Sequence, residues 1–343
     1  MKKLLNTLYI TSPDMYLSLD GENVVALREP ERPARVPLHN LEGIVTLGYT
    51  GVSPALMGSC ADRGISLTFL TASGRFLANV SGLTNGGAVL RRIQYRRSDN
   101  ETESLPFARN ILTGKLHNSR WVLERAVRDH PERVDVEKLT NASRSIAGSI
   151  PLIRKAGSSG ELFGIEGEAA NRYFSAFDEL ILQNKDHFSF VSRNRRPPTD
   201  NVNAMLSFTY TLLVSEITAA LCSAGLDPFA GFLHKDRPGR RSLALDVLEE
   251  LRAPLADRFV ISLINTRQVE PSGFFKKESG AVVMKDDTRK DFITEWQKRK
   301  KEQLTHPFLK EKIEWGLVAH AQALLLARTL RGDLDEYPPF LWK

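Results

Sequence analysis

The spacing of apolar residues changes its period along the chain. In the first eighty or so residues the apolar positions come in short runs: Thr7–Ile10, Met15–Leu19, Asn23–Leu27, Ile44–Leu47, Ile65–Leu70 and Arg75–Val80. Short alternating runs put one side chain in two on a core face, which predicts β-strands. Asp20-Gly21 separates the second run from the third and signals a tight hairpin. One stretch, Pro54–Arg63, has helical spacing and stops at Gly64, the residue that most readily takes a left-handed helix end. The expectation is a small sheet or sandwich with little room for a deep catalytic pocket.

Further on the period lengthens to that of α-helices. The predicted helices are Phe107–His130, Val136–Ile150, Glu161–Gln183, Asn203–Ala224, Ser242–Asn265, Thr288–Gln303 and Glu311–Gly332. Gly82–Gly87 reads as a flexible break and Ser98–Ser104 as a second polar gap, with the basic segment Ala88–Arg97 between them. The predicted fold is α+β. A small N-terminal β-sheet or sandwich domain over 1–86 has interface duties by default. A hinge and connector over 87–104 leads to a larger all-α domain over 105–343, which carries the candidate site.

Helical projection picks out one carboxylate. At about 100° per residue, Leu162, Ile165, Ala169, Tyr173, Phe177 and Leu180 share an arc, and Glu166 falls in its middle. An acid on a buried stripe costs several kcal/mol unless it is paired, protonated or bound to a cation. Metal binding or catalysis and a buried salt bridge to an arginine are both open at this point. Gly164 and Gly167 flank Glu166, each disfavoured in a helix interior by about 1 kcal/mol, which makes sense where a segment or ligand approaches the backbone.

A second segment, GFLHKDRPGRRSLALDVLEELRAP, turns at Pro238-Gly239 and restarts with Ser242 as a plausible cap. Asp246, Glu249 and Glu250 cluster on the arc opposite the apolar stripe of its helix, at i,i+3 and i,i+4 spacing. Such a cluster is commonly a solvated face, and a lone histidine such as His234 is more often structural than a ligand. Taken with Glu166, however, one histidine and several carboxylates without a thiolate make a hard, oxygen-rich donor set suited to Mg²⁺ or Mn²⁺. Such an ion activates a water or sugar hydroxyl for phosphodiester chemistry.

Composition narrows the partners. The 343 residues are 42% hydrophobic and 26% charged, as in ordinary globular proteins, and suffice for two domains. Residues 1–90 hold seven Lys/Arg and seven Asp/Glu, so the net charge of +6 lies wholly in the remainder and suggests a polyanion there. Arg193, Arg195 and Arg196, followed by Asn203, form one basic cluster, and Lys235, Arg237, Arg240 and Arg241 form another. The four basic residues Lys298–Lys301 read as a solvated helix face and His320 as a core histidine. The apolar stretch around Leu317 falls short of a membrane span and the opening lacks a signal-peptide pattern. Cys60 and Cys222 are expected to be buried thiols in a reducing cytoplasm. No Walker loop or dinucleotide fingerprint occurs.

At GIEGEAANRYF (Gly164–Phe174), RNRRPPTDNVNAMLSFTYTLL (Arg193–Leu213) and GFLHKDRPGRRSLALDVLEELR (Gly231–Arg252) the sequence resembles the CRISPR spacer-acquisition integrase, the universal first CRISPR-associated protein, in its I-C subtype. LYITSPDMYLSLDGENVV (Leu8–Val25) and YPPFLW (Tyr337–Trp342) fit as well, so the resemblance spans essentially the whole chain. It implies a β domain followed by a helical catalytic domain, with metal ligands at Glu166, His234 and Glu249. Glu249 is preferred to its neighbour Glu250 because it keeps the i,i+3 spacing to Asp246. Asp246 and Glu250 are then supporting carboxylates, and Arg195, Arg196, Asn203, Arg240 and Arg241 are expected on the DNA. The resemblance further implies a cytoplasmic homodimer formed through the β domains, without membrane contact. It would act on double-stranded DNA, both protospacer and CRISPR repeat, with a small adaptation partner and an iron–sulfur nuclease that trims ends. The implied reaction joins a protospacer 3′-hydroxyl to the repeat by transesterification. A stand-alone repair or junction nuclease and a non-catalytic DNA-binding scaffold are the alternatives.

Overall fold

The early alternation becomes two four-stranded sheets. In the computed structural model of the chain, residues 6–12, 14–28, 30, 32–48, 50–71, 76–80 and 87–343 are described. The strands are β1 (Thr7–Ile10), β2 (Tyr16–Asp20), β3 (Asn23–Leu27), β4 (Ala34–Pro37), β5 (Gly43–Leu47), β6 (Gly51–Val52), β7 (Ser66–Leu70) and β8 (Phe76–Val80). One sheet has the order β1-β5-β7-β8 and the other β4-β3-β2-β6. Asp20 pairs with Asn23, so Gly21 and Glu22 make a two-residue hairpin turn, and Gly21 supplies the positive φ of 57°. Helix α1 (Pro54–Arg63) ends as expected at left-handed Gly64, and Ser53 caps its start by accepting from the amide of Leu56. Leu17, Val24, Leu38, Ile44, Leu56, Cys60 and Leu67 form a fully buried core. Strands β4 and β6 escaped the sequence reading: the first is largely exposed and the second has two residues. The expected break at Gly82–Gly87 lies outside the described residues up to Gly86.

The chain divides into two compact units, one of residues 1–86 with Arg289–Lys301, the other of Gly87–Thr288 with Glu302–Lys343. The second holds α2 (Ala88–Asp99), α3 (Glu101–Asp129), α4 (Val136–Lys155), α5 (Ser159–Ser175), α6 (Asn201–Ser223), α7 (Ser242–Leu251) and α8 (Arg258–Asn265). The small hairpins β9–β10 (Phe274–Lys276, Val282–Met284) and β11–β12 (Gln303–Thr305, Lys312–Glu314) follow, so this part is mostly helical rather than all-α. Helix α9 (Asp286–Lys301) precedes the second hairpin and α10 (Trp315–Arg331) follows it.

Several boundaries differ for identifiable reasons. The polar gap at 98–104 shrinks to Asn100, whose side chain caps α3 through the amides of Thr102 and Glu103. The connector expected over 87–104 is therefore helical from Ala88. The long helix predicted to Gln183 stops at Ser175, and a 3₁₀ turn, Phe177–Leu180, follows. The predicted helix Ser242–Asn265 is interrupted at Arg252–Asp257 by a π-helical turn containing Pro254, which has no amide hydrogen to give the helix. Ser242 does not cap α7; its hydroxyl donates to the carbonyl of Lys235.

Helix α6 is long and apolar enough to cross a membrane, with a mean hydropathy of 1.5, but 72% of that window is buried inside the protein, as in a core helix. Cys222 at its end is exposed, against the expectation of a buried thiol, while Cys60 is buried. The basic run at 298–301 is not a uniformly solvated face, since Lys300 is 3% exposed. His320 is only partly buried, its Nδ1 3.2 Å from the Ser223 hydroxyl.

Candidate active site

Three helices of the helical unit meet at one cation. Helix α3 packs against α4, α5 and α7, and this packing brings Lys115 of α3 between Glu166 of α5 and Glu249 of α7. The Lys115 ammonium contacts Glu166 Oε1 and lies 2.7 Å from Glu249 Oε2. Arg252, in the π turn, holds the other oxygen, Glu249 Oε1, at 2.8 Å. The side chains of Lys115, Glu166 and Glu249 are 11%, 22% and 6% exposed. Glu166 is partly rather than fully buried, and its pairing is with a lysine from α3 rather than an arginine. Burial by itself raises the Glu249 carboxyl; the charges of Arg252, Lys115 and His234 outweigh it and hold the group down at about 2.

His234 is oriented by Asp246. Asp246 Oδ1 accepts from the His234 amide at 2.9 Å and lies 2.7 Å from ring Nδ1. Its Oδ2 accepts from the amides of Phe232 and Leu233 at 2.7 and 3.0 Å. With Nδ1 donating to the carboxylate, Nε2 is the nitrogen left for a ligand or substrate. Three successive amides aimed at one carboxylate need a sharp turn, and Gly231 provides it. A Cβ there would meet Asp246 Oδ2, the His234 carbonyl and the Ser242 backbone, each at 2.9 Å. Phe232 stacks on Phe107 of α3, ring centres 4.4 Å apart, which anchors the turn.

Asp246, Glu249 and Glu250 do not act as a single acidic face, because α7 is buried all round and the three side chains go to different places. Glu250 points away from the cation. Its Oε2 accepts from the Phe340 amide at 2.7 Å and the Gln322 side chain at 3.0 Å. Burial pushes its carboxyl up to about 8. Gly114 makes room for it: a Cβ there would be 3.1 Å from Glu250 Cγ. Glu250 is therefore a fixture of the interior, not a carboxylate supporting the site.

The proposed DNA contacts also separate. Arg195 and Arg196 are exposed and Arg240 partly so. Asn203 is fully buried and has every hydrogen bond it can make: Oδ1 accepts from Arg193 and the Asn194 amide, and Nδ2 donates to Asp200 and the Ser192 carbonyl. It shapes the arginine-rich loop and is not free to meet DNA. Arg241 turns inward toward Thr218, at 3.3 Å, and burial lowers it to about 10.

Among the described residues no three His, Cys, Asp or Glu side chains are gathered into a metal-holding group. The donor set nevertheless fits a hard cation. Two carboxylates converge on a point already taken by an ammonium, and Glu249 Oε2 has no properly aligned hydrogen bond although it is buried. Lys115 was missed in the sequence although the signal existed: at about 100° per residue it projects between Ala108, Ile111, Ser119 and Val122 on the buried arc of α3.

Comparison with known proteins places this arrangement. The family model described as CRISPR associated protein Cas1 matches residues 8–298. The chain belongs to the Cas1 family. It is 52% identical to CRISPR-associated endonuclease Cas1 1 of Chlorobaculum tepidum over 100% of both chains, and 47% identical to CRISPR-associated endonuclease Cas1 2 of Rhodospirillum rubrum, again over 100% of both. A Cas4 exonuclease/Cas1 endonuclease fusion from Geobacter sulfurreducens is 34% identical over 97% of this chain and 60% of its own length. Relatives so close over the full length make the chain an enzyme of the Cas1 endonuclease class. Among solved structures, a casposase bound to its integration product superposes with a TM-score of 0.83 at 22% identity, covering 99% of this chain and 95% of that one. A Cas1 protein of Thermotoga maritima gives 0.81 at 22% identity over 95% and 97%. A chain of a Cas6-RT-Cas1–Cas2 complex gives 0.80 at 23% identity, covering 100% of this chain and 36% of that chain. These confirm the Cas1 fold, an N-terminal β region followed by a mostly helical part.

Proposed function

We propose that the chain is a metal-dependent DNA endonuclease and integrase of CRISPR adaptation that joins protospacer 3′-hydroxyls to the repeat by transesterification. One observation carries the reading: Glu166 and Glu249 converge on a single cation, and His234, its Nδ1 held by Asp246, is near enough for its charge to act on Glu249. Glu166, His234 and Glu249 would hold Mg²⁺ or Mn²⁺, which supplies charge stabilisation at the phosphorane and a more acidic attacking hydroxyl. The chain's own residues do the rest. Arg252 keeps Glu249 ionised and fixes one of its oxygens. Asp246 sets the tautomer and angle of His234. Exposed Arg195 and Arg196 and partly exposed Arg240 offer charge to phosphates. Among the described residues, beyond the adjoining residues and backbone of α5 itself, no atom lies within 4 Å of a Cβ placed at Gly164 or Gly167, which leaves the backbone next to Glu166 open for a nucleic-acid strand to approach.

The I-C assignment, dimerisation through the β region and a cytoplasmic setting belong to the same proposal. So do a small Cas2-like partner and an iron–sulfur trimming nuclease; the Cas1–Cas2 complex and the Cas4–Cas1 fusion among the relatives are consistent with both. The test is a supercoiled plasmid carrying a repeat array, incubated with the partner protein, a 3′-hydroxyl protospacer and Mn²⁺. Covalent joining that is lost in Glu249→Ala supports the integrase. Cleavage without joining supports a stand-alone nuclease, and identical metal-independent behaviour of both proteins rejects a catalytic role.

A further inference from the structure

The cation at the centre of the site belongs to the protein. Lys115 reaches both carboxylates from the middle of α3, and its side chain is 11% exposed. Without a positive charge, Glu166 and Glu249 would repel each other in a partly desolvated space. Arg252 reaches Glu249 Oε1 at 2.8 Å, while the ammonium that contacts Glu166 is that of Lys115. Lys115 touches both acids at once.

We propose that Lys115 is a positioning residue: it holds the metal-free site in shape as a resident cation and is exchanged for the divalent ion. The proposal rests on the metal reading above. An ammonium and a divalent ion cannot share the same two carboxylate oxygens without strong mutual repulsion, so one must leave when the other enters. The lysine lines a pocket together with Ser119, Ala169 and Ala170, and its four-carbon stem is flexible enough to swing off the carboxylates. Before the exchange, two carboxylates face one ammonium and one guanidinium, a balanced set. Afterwards the tethered ammonium and the ion together leave the region more positive by two charges. The site thereby becomes attractive to a phosphodiester only once it is loaded, which couples metal entry to DNA binding.

The experiment uses the full chain without DNA and reads Mn²⁺ binding from the loss of the free-ion electron paramagnetic resonance signal. Lys115→Met keeps the stem and removes the charge; Lys115→Arg keeps the charge. Lys115→Met is expected to bind Mn²⁺ about tenfold or more tightly than wild type, having no internal competitor. Its melting temperature should fall below that of wild type without metal and recover when Mn²⁺ is added. Lys115→Arg should stay near wild type. A purely structural lysine would give weaker binding on removal, the opposite sign. Equal or weaker binding by Lys115→Met, with circular dichroism showing it folded, overturns the proposal while wild-type binding that is lost in Glu249→Gln leaves the metal reading standing. No binding by wild type or Lys115→Met overturns both.

Discussion

The side-chain amide of Asn118 donates to the main-chain carbonyl of Glu250 at 2.7 Å, the acceptor that Pro254, four residues on, has no hydrogen to reach. The same nitrogen donates to the carbonyl of Phe340, also at 2.7 Å, and Asn118 Oδ1 accepts from the amide of Trp342 at 2.8 Å. One buried side chain from α3 thus repairs the broken helix behind Glu249 and holds Tyr337–Trp342 against it. Trp342 in turn lies between the guanidinium groups of Arg125 and Arg258, at 4.3 and 4.5 Å.

Asn118→Leu keeps the volume but leaves two carbonyls and an amide without partners in the interior. It should cost about 2–4 kcal/mol of stability, read from urea unfolding. A cost below about 0.5 kcal/mol would show that water replaces the amide and that the repair is dispensable.

Gly231→Ala drives a methyl into the Asp246 carboxylate and two backbone atoms. A loss of about 2–3 kcal/mol is expected, together with reduced nuclease activity because the His234 turn must open. Normal melting and normal cleavage of labelled DNA would contradict the cradle described around Asp246.

Asp246→Asn presents an amide nitrogen to main-chain hydrogens that need acceptors, and no longer fixes the histidine tautomer. Metal-dependent cleavage should drop about 10- to 100-fold, with a smaller loss in melting temperature than Gly231→Ala. Unchanged cleavage would remove Asp246 from the description of the site.

The pH dependence of stability carries a signature of Glu250. Burial lifts its folded carboxyl from about 4.5 to about 8, although the Phe340 amide, the Tyr337 hydroxyl and the Gln322 side chain pull it back. Between those two values the native chain binds the proton more tightly than the unfolded chain. Its contribution to stability is therefore present in full below about pH 4.5 and lost as the pH rises through about 8. Glu250→Gln mimics the neutral form, so the fall of stability from pH 5 to 8 should flatten by up to about 1.4 kcal/mol per pH unit. Parallel curves for the two proteins would show that another group sets the slope.

Much of this was legible before any coordinates. Period-two runs located most described strands of the β region, and Gly21 and Gly64 sit where a positive φ is needed. Glu166 stood out because an acid among Leu162, Ala169 and Tyr173 demands a partner. The direction of that partner was not legible, since Lys115 and Glu166 are 51 positions apart and one helix projection says nothing about what faces it. Glu249 and Glu250 looked interchangeable because a surface-helix pattern assumes a wet face, whereas α7 has none. Asn203 looked like a DNA contact for a related reason: a polar residue beside arginines resembles a binding patch until its partners in Ser192–Asp200 are counted.

The dispersal of Lys115, Glu166, His234 and Glu249 over separate helices and a loop also bears on the order of folding. No short fragment contains the acids together with their cation, and both Lys115 pairings close loops of many residues. A chain still lacking its tertiary contacts carries scattered glutamates and a loose histidine, none of them able to act. Competence to cut DNA thus arrives with the last long-range packing, which makes the activity itself a reporter of complete folding.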